Sequence, residues 1–202
     1  MKKLLATLLV LTACLHVSAQ ESKQIRISTE RTDLILEVAP NGRLYQAYLG
    51  DKLLNDRDLS HLSGRSRGWE VYPGSGGEDY FEPAVAITNN DGNPSTILRY
   101  VSSEQKTVEG GTETIIRMKD DQYPVDVTLH YVSYPKQNVI KTWSEITHQQ
   151  KKPVTLWRYA STMLYFANQK YYLTEFSSDW AKEVQMSTQQ LQPGKKILDT
   201  KL

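Results

Sequence analysis

The class of fold is decided by residues 34–49, which read LILEVAPNGRLYQAYL. In the first half Leu34, Leu36 and Val38 occupy every second position, which is the period of a β-strand. The Asn41-Gly42 pair comes next, and these two residue types tolerate the positive φ angles of a tight turn. A second apolar run follows the turn directly. The stretch therefore predicts a β-hairpin.

Short runs rich in Val, Ile, Thr and Tyr recur along the rest of the chain between clusters of Gly, Asn, Asp and Pro. Residues 125–131 alternate clearly between apolar and polar side chains, which leaves one face of this predicted strand for a core. Turns are predicted at residues 90–93 and 109–111. Further strands are predicted at residues 84–89, 96–102, 112–118, 139–147 and 154–166. We therefore predict an all-β fold, a two-sheet β-sandwich formed as a single domain.

The composition is that of a folded, nearly neutral protein. Among 202 residues, 24 Lys and Arg oppose 23 Asp and Glu, so the net charge of +1 lacks the basic surplus that binding to a phosphate backbone requires. A hydrophobic share of 39% supplies a core and excludes a disordered chain. A single Cys excludes a disulfide framework and a Cys-rich zinc site. Nucleic acid is therefore not an expected partner, and stability has to come from packing.

The first residues have the pattern of an export signal. A short basic start precedes an apolar run over residues 4–17, which is too short to span a bilayer. Small residues stand just before Gln20, so we expect a signal peptide at residues 1–19 and a mature domain at residues 20–202, in the periplasm or outside the cell. The alternative is a lipobox ending at Cys14, in which case Cys14 carries a lipid and anchors the protein.

A long polar segment interrupts the predicted strands at residues 52–77, and loops of this length often carry function. At its end, residues 69–83 read WEVYPGSGGEDYFEP, a mixture of aromatic rings, carboxylates and glycines. Aromatic faces cover the C–H face of a pyranose, carboxylates accept hydrogen bonds from its hydroxyls, and glycine lets backbone approach a ligand. This mixture indicates sugar binding. The alternative is a structured loop whose rings are buried against the sandwich.

Other kinds of site find less support in the sequence. Four acids of the same segment are candidates for a glycosidase pair, although closeness in sequence does not give the required separation across a scissile bond; they are Glu70, Glu78, Asp79 and Glu82. The histidines at positions 61, 130 and 148 lie far apart without the spacing of metal ligands. The glycine run at residues 74–77 lacks the Lys of a phosphate-binding loop. We therefore expect no metal and no cofactor.

Several short stretches occur in the order and spacing of a known family. They are residues 72–84, which read YPGSGGEDYFEPA, and residues 91–92, 98–102, 129–131, 138–140, 180–183 and 191–197. Together they resemble the N-terminal domain of the α-galactosidases of glycoside hydrolase family 36, from about Ile25 to Leu202. The resemblance implies a β-supersandwich similar to the galactose mutarotase type, placed before a catalytic (β/α)8 barrel.

The resemblance also implies where catalysis lies. Members of this family hydrolyse terminal α-galactosyl residues with an Asp nucleophile and an Asp acid/base on barrel strands, and no residue of this chain matches either one. The chain therefore resembles a fragment truncated before the barrel. In the family the loop with the Tyr-Pro to Glu-Pro motif lies near the mouth of the active site, in some oligomers that of a neighbouring subunit. Tyr72, Asp79 and Tyr80 are accordingly candidates for substrate binding, whereas Phe81 replaces an Arg of many members.

We expect this chain to act as the N-terminal domain of an α-galactosidase, with a structural role and a role at the active-site rim. Its expected partners are an α-galactoside in the full-length context, the absent barrel and further copies of itself in a homo-oligomer. The alternative is a free-standing carbohydrate-binding module, which direct sugar binding by the isolated chain would distinguish. A mutarotase-like isomerase is a third hypothesis, but it needs a His and a carboxylate converging in one pocket, and the scattered histidines argue against it.

Overall fold

The computed structural model describes residues 23–55, 57–62, 69–77, 82–166 and 170–199. The expected signal peptide and Cys14 lie outside these residues. Contacts between Cα atoms divide the chain into two compact units, Met1–Tyr165 and Phe166–Leu202.

The described residues are mainly β-strands, which confirms the predicted all-β class. In the first unit the strands are β1 Lys23–Ser28, β2 Thr32–Val38, β3 Leu44–Asp51, β4 Val85–Thr88, β5 Leu98–Val108, β6 Gly111–Asp120, β7 Val125–Tyr134, β8 Val139–His148 and β9 Thr155–Tyr159. In the second unit they are β10 Tyr172–Asp179 and β11 Lys182–Gln190. One four-residue helix, α1 Arg57–Ser60, lies in the long polar segment.

The predicted hairpin at residues 34–49 is confirmed, and it forms part of a three-stranded antiparallel sheet in the order β1-β2-β3. The N–H of Gly42 donates to the carbonyl oxygen of Ala39 at 2.8 Å and closes the turn. Gly42 has a φ of 76°, and a Cβ atom there would lie 3.2 Å from Cδ of Arg99. Glycine therefore serves both the turn and the close approach of a neighbouring side chain.

A four-stranded antiparallel sheet in the order β5-β6-β7-β8 forms the other large layer. The predicted alternation along residues 125–131 is confirmed, because Val125, Val127 and Leu129 all belong to the buried core. They meet core residues contributed by the three-stranded sheet, such as Ile27 and Leu36. Burial of each such side chain contributes about 1.5–3 kcal/mol, so this core is the main source of stability.

Two further sheets depart from the predicted two-sheet arrangement. Strand β4 pairs with β9, and β10 pairs with β11, each as a two-stranded antiparallel ribbon. The strand predicted at residues 154–166 ends at Tyr159. Beyond Tyr159, hydrogen bonds to side chains take the place of pairing with another strand. The Gln46 amide donates to the carbonyl oxygen of Tyr165 at 2.6 Å and accepts from the N–H of Tyr165 at 3.1 Å. A backbone satisfied by a side chain does not need a neighbouring strand.

The second unit is the hairpin of β10 and β11 followed by an extended segment. Phe176 and Met186 are cross-strand neighbours, and they are 65% and 68% exposed. A salt bridge of 3.3 Å joins Lys196 to Glu175, so the extended segment lies along the ribbon. An isolated two-stranded ribbon is marginally stable in water, and this one keeps large apolar side chains at its surface. Within the described part of the chain, no helix combines the length and the apolar character needed to cross a bilayer.

Candidate functional site

Residues 69–77, at the start of the sugar-binding candidate stretch, form an extended segment alongside β3. The N–H of Val71 donates to the carbonyl oxygen of Leu44 at 2.9 Å, and the carbonyl oxygen of Trp69 accepts from the N–H of Gln46 at 2.8 Å. Residues 69–71 thus pair with β3 as a strand would, but the paired stretch is too short to count as a strand. Its position is set by the rigid sheet next to it.

On its other side the segment packs tightly against the turn before β5. The N–H of Thr96 donates to the carbonyl oxygen of Ser75 at 2.8 Å. A Cβ atom on Gly74 would lie 2.1 Å from the carbonyl oxygen of Thr96, and one on Gly76 would lie 2.5 Å from Oγ of Ser95. These glycines therefore let two parts of the same chain approach each other. The sequence predicts that these glycines let the backbone approach a ligand, whereas in the structure they let it approach Ser95 and Thr96.

Tyr72, one of the three candidates for substrate binding, is a core residue with 0% exposure. Its hydroxyl donates to the carbonyl oxygen of Ala160 at 2.7 Å and lies 3.0 Å from Oγ of Ser144. Burial raises the pKa of Tyr72, although these two hydrogen bonds oppose the shift. A side chain in this position anchors the segment to the core and leaves no ring surface for a sugar.

Asp79 and Tyr80, the other two candidates, lie with Glu78 and Phe81 outside the described residues. Gly77 and Glu82 flank this stretch. A Cβ atom on Gly77 would lie 3.4 Å from Nη2 of Arg43, and Glu82 forms an ion pair with Arg158 of β9. Glu82 is therefore tied to β9, and Gly77 lies close to Arg43.

A buried ion pair joins Glu70 of the segment to Arg43, the residue before β3. Nε of Arg43 donates to Oε1 of Glu70 at 3.0 Å, and Nη2 of Arg43 donates to Oε2. The side chains of Arg43 and Glu70 are 13% and 3% exposed, so this two-pronged pair is shielded from water. Of the four acids considered for a glycosidase pair, Glu70 and Glu82 are thus engaged by arginines, and the other two lie outside the described residues.

An aromatic pair stands beside the ion pair. The rings of Trp69 and Tyr165 are stacked with their centroids 5.9 Å apart and their planes 6° apart. The Tyr165 hydroxyl donates to the carbonyl oxygen of Glu70 at 2.8 Å. Nothing in the sequence pairs these two rings, because periodicity carries information about neighbouring positions only.

The histidine of β7 has carboxylates on both sides, which the sequence interpretation missed. Nδ1 of His130 lies 2.8 Å from Oε1 of Glu113, and Nε2 lies 3.5 Å from Oε1 of Glu145. The hydrogen bond with His130 is the main cause that lowers the pKa of Glu113. His130 is 8% exposed and its ring stacks on Trp143 at 4.4 Å, so this convergence is closed to a sugar. In the described residues, no group of three or more His, Cys, Asp or Glu side chains is arranged to hold a metal ion.

Comparison with known proteins gives one family and one fold. A family model described as the glycosyl hydrolase family 36 N-terminal domain matches residues 42–201. No curated protein sequence matches the chain. The chain is similar in fold to the α-galactosidase of Lactobacillus brevis, with a TM-score of 0.75, 20% identity, and coverage of 89% of this chain and 28% of that one.

Two α-galactosidases of Geobacillus stearothermophilus give the same result. AgaA has a TM-score of 0.75 at 20% identity over 85% of this chain, and AgaB has a TM-score of 0.74 at 20% identity over 87%. In both cases the match covers 28% of the other chain, so this chain spans little more than a quarter of the length of these structures.

Proposed function

The chain belongs to the family of glycosyl hydrolase family 36 N-terminal domains, and from this premise we propose that it serves as the N-terminal domain of an α-galactosidase. The observation that carries the proposal is the family match over residues 42–201, together with the shared fold of three α-galactosidases. Variants of AgaA have been crystallised with raffinose and with stachyose. Both sugars are α-galactosides, and we propose this substrate class for the protein to which the domain belongs.

Within this proposal the chain does not perform the hydrolysis. Retaining glycosidases need two carboxyl groups about 5–5.5 Å apart, one as nucleophile and one as acid. Glu70 and Glu82 do not suit these roles, because each is paired with an arginine. The hydrolytic carboxylates then belong to the larger part of the relatives that this chain does not cover.

The role that remains for the chain is to support the rim of the sugar site. The hydrogen bonds of residues 69–77 and the buried Tyr72 make that segment a rigid arm, with residues 78–81 at its end. Asp79 supplies a carboxylate that accepts hydrogen bonds from sugar hydroxyls, and Tyr80 supplies an aromatic face. Phe81 supplies an apolar side chain at the position where many family members have an Arg, which can bind sugar hydroxyls. A loop on a rigid support loses little conformational freedom when it meets a ligand.

A chimera tests the proposal. Residues 20–202 replace the N-terminal domain of the Lactobacillus brevis α-galactosidase, and raffinose hydrolysis is compared with that of the remaining catalytic part alone. The chimera is expected to be the more active protein, and the isolated chain is expected to release no galactose. Asp79→Asn in the chimera should raise KM, whereas Asp51→Asn, on an exposed residue at the end of β3, should leave KM unchanged. A folded chimera no more active than the catalytic part alone would overturn the proposal.

The proposal also includes export. The basic start, the short apolar run and the small residues before Gln20 support a cleaved signal peptide. An exported α-galactosidase would meet its substrates outside the inner membrane. Lipidation of Cys14 is the competing form, and it would keep the domain at a membrane surface.

A further inference from the structure

The stacked rings of Trp69 and Tyr165 are held in place by an unusual amount of hydrogen bonding. Gln46 is 1% exposed, and both polar atoms of its amide bind the backbone of Tyr165, at 2.6 and 3.1 Å. The N–H of the same Gln46 donates to the carbonyl oxygen of Trp69. One buried residue of β3 therefore fixes the backbone on both sides of the ring pair.

The ring of Tyr165 is fixed at its far end as well. Its hydroxyl donates to the carbonyl oxygen of Glu70 at 2.8 Å, so the backbone and the ring tip are both tied to the sheet. Such a ring has little rotational freedom to lose when a ligand binds. The pair is organised before any ligand arrives.

Core packing does not account for this arrangement. Among the described residues, Trp69 and Tyr165 belong neither to the buried core nor to the half-buried apolar side chains that pack against it. Both are intermediate in exposure, whereas Tyr72 and Tyr131 fill the core with 0% and 3% exposure. The pair therefore combines a fixed orientation with ring surface that water can reach.

The chemistry of the surroundings selects a neutral ligand. Among the described residues, Arg43 and Glu70 beside the pair carry opposite charges that bind each other in a shielded ion pair. A parallel pair of electron-rich ring faces attracts polarised C–H groups. Galactopyranose presents such groups as a continuous face, because its axial hydroxyl at C4 leaves the opposite side of the ring apolar.

We propose that Trp69 and Tyr165 form a stacking platform for a galactopyranose unit of an α-galactoside. The identity of the sugar rests on the proposed function, and the platform itself rests on the geometry of the pair. It is distinct from the Asp79 and Tyr80 contacts, since Trp69 is the first residue of the rigid arm and Tyr165 follows β9. It adds a sugar contact that the chain makes on its own.

Nuclear magnetic resonance of the mature chain, residues 20–202, tests the platform. The chain has four tryptophans, at positions 69, 143, 157 and 180, so a nitrogen-15 spectrum shows four indole signals, which single Trp→Phe variants assign. On titration with methyl α-galactopyranoside and then raffinose, the Trp69 signal is expected to shift until it saturates. The other three signals are expected to stay in place. Methyl α-glucopyranoside, with an equatorial hydroxyl at C4, should bind more weakly.

Variants separate a binding role from a purely structural one. Tyr165→Ala should weaken binding about tenfold, because it removes one of the two rings of the platform. Tyr165→Phe keeps the ring and should retain most of the affinity. Trp157→Ala removes an exposed indole elsewhere, 73% exposed on β9, and should leave the affinity unchanged.

Two results would overturn the platform. One is a Trp69 signal that stays in place up to the solubility limit of raffinose in a folded wild-type chain. The other is a shift that persists at full affinity in Tyr165→Ala. Either result leaves the proposed function untouched, since that is judged by turnover of the chimera. Conversely, a saturable Trp69 shift with an inactive chimera would support the platform and refute the domain role.

Discussion

Replacing Gly74 by Ala should disrupt the rigid arm more than adding a methyl group at any other glycine of residues 69–77. The added Cβ would lie 2.1 Å from the carbonyl oxygen of Thr96 and 2.9 Å from its carbonyl carbon. Both are backbone atoms, so no side chain can rotate away, and the two segments must separate by about 1 Å in a close-packed region. That movement weakens the hydrogen bond from Thr96 to Ser75.

The expected cost follows from these two effects. Overpacking costs about 1–3 kcal/mol and a weakened hydrogen bond adds about 1 kcal/mol, so unfolding should become easier by roughly 2–4 kcal/mol. For a domain of this size the thermal midpoint should fall by roughly 5–15 °C. Circular dichroism during thermal and urea unfolding measures both quantities, and an unchanged urea slope shows that the folded state has kept its compactness.

Gly77→Ala is the matched control, because it adds the same methyl group to the same segment. Its Cβ would lie 3.4 Å from Nη2 of Arg43, which is an ordinary van der Waals contact. Its stability should match or slightly exceed that of the wild type, because alanine restricts the unfolded chain. If Gly74→Ala and Gly77→Ala unfold at the same midpoint, the tight packing of the arm against the turn before β5 is refuted.

Three further predictions concern the ion pair, the N-terminus and the surface. Glu70→Gln should destabilise the domain by about 3 kcal/mol in urea unfolding, because it removes one charge of a buried ion pair; Glu104→Gln, in an exposed pair, should cost less than about 1 kcal/mol, and equal costs would contradict this account. Intact mass of the exported product should correspond to a chain that begins at Gln20, and an acylated chain that begins at Cys14 would contradict cleavage by the ordinary signal peptidase. Light scattering should show that the isolated chain self-associates, since β9, β10 and β11 carry exposed apolar side chains, and a monomer at high concentration would show that these surfaces need no cover.

Local patterns were enough to predict part of this fold. The hairpin turn at Asn41-Gly42 and the alternating strand β7 were predictable, because each depends on residues a few positions apart. The early end of β9 was not predictable, since the backbone beyond it binds side chains that are far away in the sequence, Tyr72 at Ala160 and Gln46 at Tyr165. Strand β11 was missed for another reason: its sequence KEVQMSTQQ contains few apolar residues, and all of them are exposed.

In the candidate site too, local patterns were predictable and contacts between distant parts of the sequence were not. The composition of residues 69–83 singled out this segment for sugar binding, but it could not show that Tyr72 is buried in the core. Tyr72 was expected to contact sugar and instead fills the core. The pairing of Trp69 with Tyr165 depends on tertiary structure, so no pattern in either stretch could have indicated it.

A crystal structure of the chimera with raffinose tests the central claim most directly, namely that this chain carries residues 78–81 to the rim of a sugar site. The account predicts a carboxylate oxygen of Asp79 within hydrogen-bond distance of a raffinose hydroxyl, about 2.5–3.0 Å, with Tyr72 still buried. Residues 78–81 lying well away from a bound raffinose would contradict it.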